Sequence, residues 1–177
     1  LSSYRFRHFL CHQGLRNSQE EVERAHLHEA VGTTLEALYG EEAGEIAVDL
    51  ARHFQEAGLT DKAIDYLQKA GDRAVRILAN EEAIAHYRQA LALLATLPDT
   101  PARDQRELAL QLALGAPLVA CSGFTAPEFG QAMGRARELC QRAYANESPK
   151  LFSALFFLNI FHGLRAEYQT AIELGEE

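Results

Sequence analysis

Cysteine, basic residues and long apolar runs are all in short supply in this chain of 177 residues, and each shortage excludes a class of protein. The three cysteines, Cys11, Cys121 and Cys140, are odd in number, lie far apart and form no C-x-x-C pair. This spacing supplies neither a disulfide framework nor a zinc knuckle. It predicts free thiols in a reducing compartment, and therefore a cytoplasmic protein.

The balance of charge argues against a nucleic-acid-binding protein. The chain has 17 Lys and Arg residues against 25 Asp and Glu residues, a formal net charge of -8, and no run of basic residues. Phosphate backbones are bound by a concentrated basic face, so we expect no direct contact with DNA or RNA. The longest apolar run, Leu151–Leu164, is too short to cross a bilayer, which takes about 20 residues. We expect a buried helix there and no membrane span.

Motifs that carry chemistry are also missing. The sequence has no G-x-x-x-x-G-K-[ST] phosphate loop, no G-x-S-x-G and no cysteine in a glycine-rich turn. His8 and His12 lie four apart but have no third metal ligand nearby, whereas His26 and His28 point to different faces of a helix. We therefore predict no catalytic, cofactor-binding or metal site in this segment.

Helix start and stop signals divide the chain into about nine helices. Eight of them have a defined start: at 19 (to 39, after a capping box at Ser18), at 42 (to 57), at Thr60, at Asn80 (to before Pro98), at 102 (to 114 or onward past Pro117), at Thr125 (to 145), at Pro149 and at 166. Apart from a possible strand end at Tyr4–Phe6, no alternating β-branched run is present. The sequence predicts an all-α protein.

Small residues recur at a fixed spacing between Ile46 and Leu94. Ala63 and Ala70 are each followed by another alanine 20 positions later, Ala83 and Ala90, with large apolar residues between them. Small residues at fixed helical positions let neighbouring helices approach closely. We expect stacked antiparallel helix pairs in a tetratricopeptide-like right-handed superhelix, with these four alanines buried at tight helix–helix contacts.

Several segments together resemble one family of signalling proteins. Tyr4-Arg5-Phe6-Arg7-His8-Phe9-Leu10, followed by Arg24-Ala25-His26-Leu27-His28, resembles the junction after the winged-helix part of bacterial STAND-type AAA ATPases. Those ATPases are often fused to adenylate/guanylate cyclase or transcription-regulator domains. Ala51-Arg52-His53-Phe54-Gln55-Glu56-Ala57-Gly58, Ala83-Ile84-Ala85-His86-Tyr87 and Leu108-Ala109-Leu110-Gln111 resemble their C-terminal tetratricopeptide array.

The resemblance implies that residues 1–40 are a remnant of the winged-helix junction and that residues 41–177 are a helical array truncated at its C-terminus. It also implies that the array senses an inducer or a partner, that it packs against an N-terminal ATPase domain of the same polypeptide, and that His8 contacts a nucleotide or packs at the junction. The expected function is that of a non-catalytic interaction and sensor arm. The alternatives are a freestanding binding module and a fragment of a parent ATPase or nucleotide cyclase.

Two polar residues interrupt the apolar run near the C-terminus. Asn159 and His162 lie three apart and therefore close together on a helix, with Phe156 one turn earlier. Polar groups in such a helix need partners or an opening to solvent. Either they bond to a neighbouring helix, or they line a groove with Phe156 and orient a bound protein, peptide or inducer. These three residues form the predicted partner-binding site.

Overall fold

The computed structural model describes residues 9–144 and 149–176, with side chains from residue 20 onward except those of 143 and 144. Every regular element in this part of the chain is a helix. The helices are α1 (Phe9–Tyr39), a 3₁₀ helix (Gly40–Ile46), α2 (Ala47–Glu56), α3 (Thr60–Arg76), α4 (Asn80–Leu94), α5 (Pro101–Ser122), α6 (Pro127–Tyr144), α7 (Pro149–Leu164) and α8 (Tyr168–Glu176). The predicted all-α class is confirmed for these residues, and the possible strand end at Tyr4–Phe6 lies outside them.

Two predicted helix limits are wrong. α1 begins at Phe9 and runs through Ser18, so the capping-box sequence lies inside a helix instead of opening one. Serine and glutamate cost little inside a helix, and the pattern is therefore not sufficient to start one. The predicted helix from residue 42 begins as a 3₁₀ turn, because Gly40 (φ 51°) ends α1 in a left-handed conformation and α-helical geometry resumes only at Ala47.

The connection before α5 has the predicted geometry. The Thr100 side chain accepts a hydrogen bond from the Arg103 amide at 3.2 Å, and Pro101 is the first residue of the helix. α5 then continues through Pro117 to Ser122, which settles the alternative that the sequence left open. Among the described helices, none is long and apolar enough to cross a membrane.

Contacts divide the chain into two compact units, Leu1–Ala63 and Ile64–Glu177. In the first unit α1 packs on the 3₁₀ helix and on α2. Gly32 allows a close approach, since an added Cβ would lie 3.1 Å from ring carbon Cε1 of the buried Phe54. The Nδ1 atoms of His28 and His53 lie 3.0 Å apart between the same two helices. An aromatic contact and a polar contact therefore link α1 to α2 in this unit.

In the second unit α4 packs on α5, α5 on α6, α6 on α7 and α7 on α8. Two glycines receive aromatic rings: a Cβ on Gly71 would lie 2.5 Å from Tyr87, and one on Gly130 would lie 2.4 Å from Phe161. The Tyr87 hydroxyl also donates to Asp72 at 2.6 Å, which ties α4 to α3. Burial, followed by the bond to Asp72, raises the pKa of Tyr87 above its ordinary value.

The spaced alanines are buried as predicted. Their exposed fractions are 0% for Ala63, 4% for Ala70, 0% for Ala83 and 0% for Ala90. Near-complete burial on successive helices is what a small-residue packing register requires. The predicted burial of these four alanines is therefore confirmed.

Three inter-helix turns share one backbone pattern. Their central residues, Gly58, Leu78 and Ala166, have φ angles of 74°, 61° and 59°. In each turn the next amide donates to a carbonyl five residues back: Leu59 to Phe54 (2.8 Å), Ala79 to Ala74 (2.9 Å) and Glu167 to His162 (2.9 Å). The following helix then opens with a bond from a buried alanine: Ala63 to Leu59 (3.0 Å), Ala83 to Ala79 (3.0 Å) and Ala171 to Glu167 (3.1 Å). Such a bonding pattern is typical of a Schellman-type helix end, and it recurs at all three of these turns.

Candidate functional site

The apolar helix α7 buries one stripe and exposes aromatic rings beside it. The buried stripe consists of Leu151, Ala154, Leu158 and Phe161. Outside it, Phe152 is 72% exposed and Phe156 is 53% exposed. Their ring centroids lie 6.4 Å apart and the ring planes differ by 19°, so the rings stack on each other one helical turn apart. Two large, stacked, exposed aromatics form an unusual surface, because exposed apolar residues normally occur singly.

These rings border a hollow of about 230 Å³ between α7 and α8, which we call the α7–α8 groove. It is lined by Phe152, Leu155, Phe156, Asn159, Leu174 and Gly175. The predicted residues Phe156 and Asn159 are therefore brought together in one groove. His162 does not line this groove.

Asn159 is tied to the neighbouring helix. Its Nδ2 atom donates a hydrogen bond of 2.7 Å to the carbonyl oxygen of Ala171 in α8. This contact corresponds to the interhelical bond that the sequence allowed as an alternative to ligand binding. The Oδ1 atom of Asn159 accepts no hydrogen bond from any residue in the described part of the chain. It can therefore accept one from another partner.

His162 is occupied at the turn that follows α7. Its Nδ1 atom lies 2.5 Å from Oε2 of Glu167, while the Nε atom of Arg165 donates to Oε1 of the same carboxylate at 2.8 Å. Arg165, followed by His162, holds the pKa of Glu167 below its ordinary value of 4.5. Glu167 therefore holds the side chains of His162 and Arg165 at the start of α8.

A second hollow of about 380 Å³ lies on the other side of His162, between α6 and the end of α7, and we call it the α6–α7 hollow. Its lining consists of Pro127, Gly130, Gln131, Gly134, Arg137, Leu158, Phe161, His162, Arg165 and Glu167. Its apolar wall is formed by Leu158 and Phe161, and its rim is charged. The structure therefore distributes the predicted site over two hollows that flank α7.

Sequence reasoning missed Arg165, Glu167 and Gly134. Arg165 and Glu167 flank Ala166, whose left-handed φ of 59° brings them round the turn. Alanine gives no sequence signal for that conformation, which glycine usually adopts. A glycine within a predicted helix was the available signal for Gly134, because helix interiors disfavour glycine unless packing or function requires it.

A third surface that the sequence did not single out runs along α5. Two hollows of about 310 and 290 Å³ share Gln111 in their linings. Beside them Arg135 forms a forked ion pair with Glu107, with bonds of 2.6 and 3.1 Å, and these bonds raise the pKa of the arginine further. Because this arginine and this glutamate satisfy each other across α5 and α6, the pair is well explained as a helix–helix contact.

The other histidine and cysteine positions do not form a metal site in the part of the chain described. The side chains of His8 and His12 lie outside the described residues, as does that of Cys11. Over the described ranges, no three His, Cys, Asp or Glu side chains are close enough to hold a metal ion. Cys140 is buried, and burial raises the pKa of its thiol, which makes it a poor nucleophile.

Comparisons with models of protein families, with curated proteins and with solved structures give no match to this chain.

Proposed function

We propose that this chain is a non-catalytic interaction arm that binds an amphipathic helix of a partner protein in the α7–α8 groove. The observation that carries the proposal is the stacked pair Phe152 and Phe156, which is exposed beside an apolar hollow. Aromatic side chains supply much of the binding energy at protein interfaces. Burying two such rings removes a large apolar area from water.

A helix is the occupant whose shape fits this surface. Phe152 and Phe156 are four apart and form a short ridge along α7, and ridges of this kind pack into the grooves of a facing helix. Each of α4 to α7 is already covered by the next helix of the chain. A partner helix on the α7–α8 groove would extend the same pattern of helix on helix, in the helix-in-groove mode of recognition.

The acidic character of α8 and of the chain as a whole favours a basic partner. Glu173 and Glu176 are exposed on α8, and the chain as a whole carries a net charge of -8. A partner helix with Lys or Arg beside its apolar stripe would be attracted to this surface. Asn159 then offers its Oδ1 atom to one of those donors, while its Nδ2 atom keeps α8 in place.

The wider architecture and context belong to the same proposal. The three turns of equal hydrogen-bond pattern support a tetratricopeptide-like superhelix of stacked helix pairs. Because the sequence resembles bacterial STAND-type ATPases, we propose that the arm belongs to a cytoplasmic multidomain signalling ATPase or cyclase-type regulator. Its ATPase domain and its protein partner would then bias how the arm packs. Reading the coding sequence that precedes Leu1 tests this assignment, which requires a phosphate-loop ATPase there.

The groove is tested by selecting displayed helical peptides on the wild-type chain. Each selected peptide is measured against Phe152→Ser/Phe156→Ser and against Val48→Ser/Ile77→Ser, a matched control that removes apolar side chains which are 54% and 67% exposed elsewhere. We expect peptides with apolar residues at helical spacing and flanking basic residues. Their affinity should fall at least tenfold for the phenylalanine double variant and stay unchanged for the control.

Two results would refute the groove. One is a selection that yields only peptides without helical apolar spacing. The other is a set of helical peptides whose affinity is the same for the wild type and the phenylalanine double variant. Circular dichroism melting of both variants shows whether the fold is retained, and retention is expected because all four altered side chains are more than half exposed.

A further inference from the structure

The α7–α8 hairpin exposes apolar side chains on both of its helices. Besides Phe152 and Phe156 on α7, two residues of α8 are exposed: Tyr168 by 65% and Ile172 by 56%. Single exposed apolar side chains are normal on a protein surface, whereas contiguous clusters mark interaction sites. Whether these four side chains form one cluster depends on how the two helices are turned toward each other.

On α7, the exposed phenylalanines lie on the side of the helix that faces away from the core. α7 meets α8 where the Nδ2 atom of Asn159 bonds to the carbonyl oxygen of Ala171. Successive helical residues are rotated by about 100°, so the buried Leu158 is displaced from Asn159 by about 100° in one sense and Phe156 by about 60° in the other. Phe152 lies one turn before Phe156 on the same side.

The exposed residues of α8 lie on the same face of the hairpin. Relative to Ala171, the buried Leu174 is displaced by about 60° in the same sense as Leu158 on α7. Ile172 and Tyr168 are displaced in the opposite sense, by about 100° and 60°. A short turn joins α7 to α8, so the two helices are antiparallel. In antiparallel neighbours, residues displaced in the same sense from the line of contact lie on one face, and the four exposed side chains therefore share the outer face.

The register of the two helices follows from the contacts of Asn159. Its Nδ2 atom bonds to the carbonyl oxygen of Ala171 and lies 3.6 Å from the position that a Cβ on Gly175 would take. Asn159 is therefore level with the middle of the segment between Ala171 and Gly175.

This register arranges the exposed side chains in one evenly spaced row. A helix rises 1.5 Å per residue, so Phe152 and Phe156 are about 6 Å apart along the hairpin, as are Ile172 and Tyr168. With Asn159 as the reference level, Phe156 and Ile172 are also about 6 Å apart. The row is about 18 Å long and crosses from α7 to α8, which matches about 12 residues of a helix laid across the hairpin.

The row is bordered by acid on its α8 side. Glu173 and Glu176 are exposed beside Ile172, and we call these two residues the acidic edge. α8 contains no Lys or Arg, and Lys150 is the only one in α7. A partner with basic residues beside its apolar stripe complements this edge. A second copy of the chain would instead add another net charge of -8 and be repelled.

We propose that the partner is one amphipathic helix that spans the hairpin and contacts Tyr168 and Ile172 of α8 as well as Phe152 and Phe156 of α7. It carries apolar residues at every third or fourth position over about 12 residues, and basic residues on the side that faces the acidic edge. This inference rests on the proposed function and defines the length and the charge of the partner.

The test measures fluorescence anisotropy of labelled helical peptides, selected on the wild-type chain from a displayed library of 20-residue sequences. The variants Tyr168→Ser/Ile172→Ser and Phe152→Ser/Phe156→Ser should each weaken binding at least tenfold. The control Val48→Ser/Ile77→Ser, which removes apolar side chains exposed elsewhere, should bind as tightly as the wild type. Circular dichroism melting reports the fold, which should be retained because all of these side chains are more than half exposed.

The acidic edge has its own test at low salt. Glu173→Gln/Glu176→Gln should weaken a basic peptide at least threefold and reduce the dependence of its affinity on salt. The control Glu41→Gln/Glu42→Gln removes two exposed acids outside the hairpin and should leave the affinity unchanged. Equal effects of both changes would refute the role of the acidic edge.

The position of the peptide is found by double-mutant cycles that pair alanine changes in the peptide with Phe152→Ser and with Tyr168→Ser. The peptide residue coupled to Phe152 should be about 12 positions from the one coupled to Tyr168. Coupling of both to peptide residues less than two turns apart would overturn the proposed span.

The outcomes separate this inference from the proposed function. If only the phenylalanine variant weakens binding, the partner occupies the groove alone and the span over α8 is wrong. If neither variant weakens binding, both proposals fail. If sedimentation equilibrium shows a wild-type dimer that both variants dissociate, the outer face binds a second copy and the inference is overturned.

Discussion

Replacing Gly71 with alanine should destabilise the second unit, although alanine is the better helix former. The added Cβ would lie 2.5 Å from Cε1 of Tyr87 and 2.8 Å from two other ring atoms. The ring has little freedom to retreat, because Tyr87 is 2% exposed and its hydroxyl donates to Asp72 at 2.6 Å. The clash must therefore displace either the ring or the backbone of α3.

The magnitude follows from three contributions. Overpacking of a close contact costs about 1–3 kcal/mol, and loss of the Tyr87–Asp72 hydrogen bond costs about 0.5–1.5 kcal/mol. The higher helix propensity of alanine offsets about 1 kcal/mol of this. We expect the free energy of unfolding to fall by about 2 kcal/mol, a figure that rests on these three ranges.

Urea denaturation followed by circular dichroism measures this change. The matched control is Gly134→Ala, where the Cβ meets no atom within 4 Å and the same substitution should stabilise the protein by about 0.5–1 kcal/mol. The double variant Gly71→Ala/Tyr87→Leu should lose at least about 1 kcal/mol less than the sum of its single changes, because the smaller side chain relieves the clash. Stabilisation by Gly71→Ala equal to that of the control would refute the close contact.

Three further predictions concern single contacts. Ala83→Leu should lower the free energy of unfolding by about 1–3 kcal/mol through overpacking of a fully buried position, as measured by urea denaturation. Asn159→Ala should cost about 1 kcal/mol in the same assay because it removes the bond to the carbonyl of Ala171. Burial, followed by the charge of His28, holds the pKa of His53 below its ordinary value of 6.5. As the pH falls through 6.5, the unfolded chain therefore binds more protons than the folded chain, which lowers stability. The free energy of unfolding should decrease between pH 7 and pH 5, and His53→Gln should flatten that slope.

Each of these has a result that contradicts it. Unchanged stability of Ala83→Leu would remove the basis for the packing register. An Asn159→Ala protein as stable as the wild type would show that the bond to Ala171 contributes nothing. A pH slope that is the same with and without His53 would assign the acid sensitivity to other groups.

Local signals predicted the helical pattern of this chain well where a residue type determines the backbone. Thr100 and Pro101 begin α5 as predicted, and Gly58 ends a helix at φ 74°, because capping and left-handed geometry depend mainly on the residue itself. Leu78 and Ala166 adopt the same left-handed conformation without that preference. Their geometry is imposed by the hydrogen bonds and packing of the turn, which a sequence does not display.

The site shows the same limit. The spacing of Asn159 and His162 predicted that they lie near each other, and this local relation holds along α7. Their partners, the Ala171 carbonyl and Glu167, are set by how the chain reverses after α7, and helical spacing carries no information on that reversal. Periodicity could not predict the exposure of Phe156 either. Apolar residues occur on every side of α7, and the side that becomes buried depends on where α6 and α8 pack.

The internal bonds of the two polar residues limit what these residues can contribute to binding. Asn159 and His162 hold α8 against α7 through Ala171 and Glu167, so neither is free to give a ligand its main contact. In the proposed function, recognition in the α7–α8 groove therefore rests on the two exposed phenylalanines. Changes to the polar pair should therefore lower stability and peptide affinity together because they loosen the α7–α8 hairpin, whereas changes to the phenylalanines should lower peptide affinity and leave the hairpin intact.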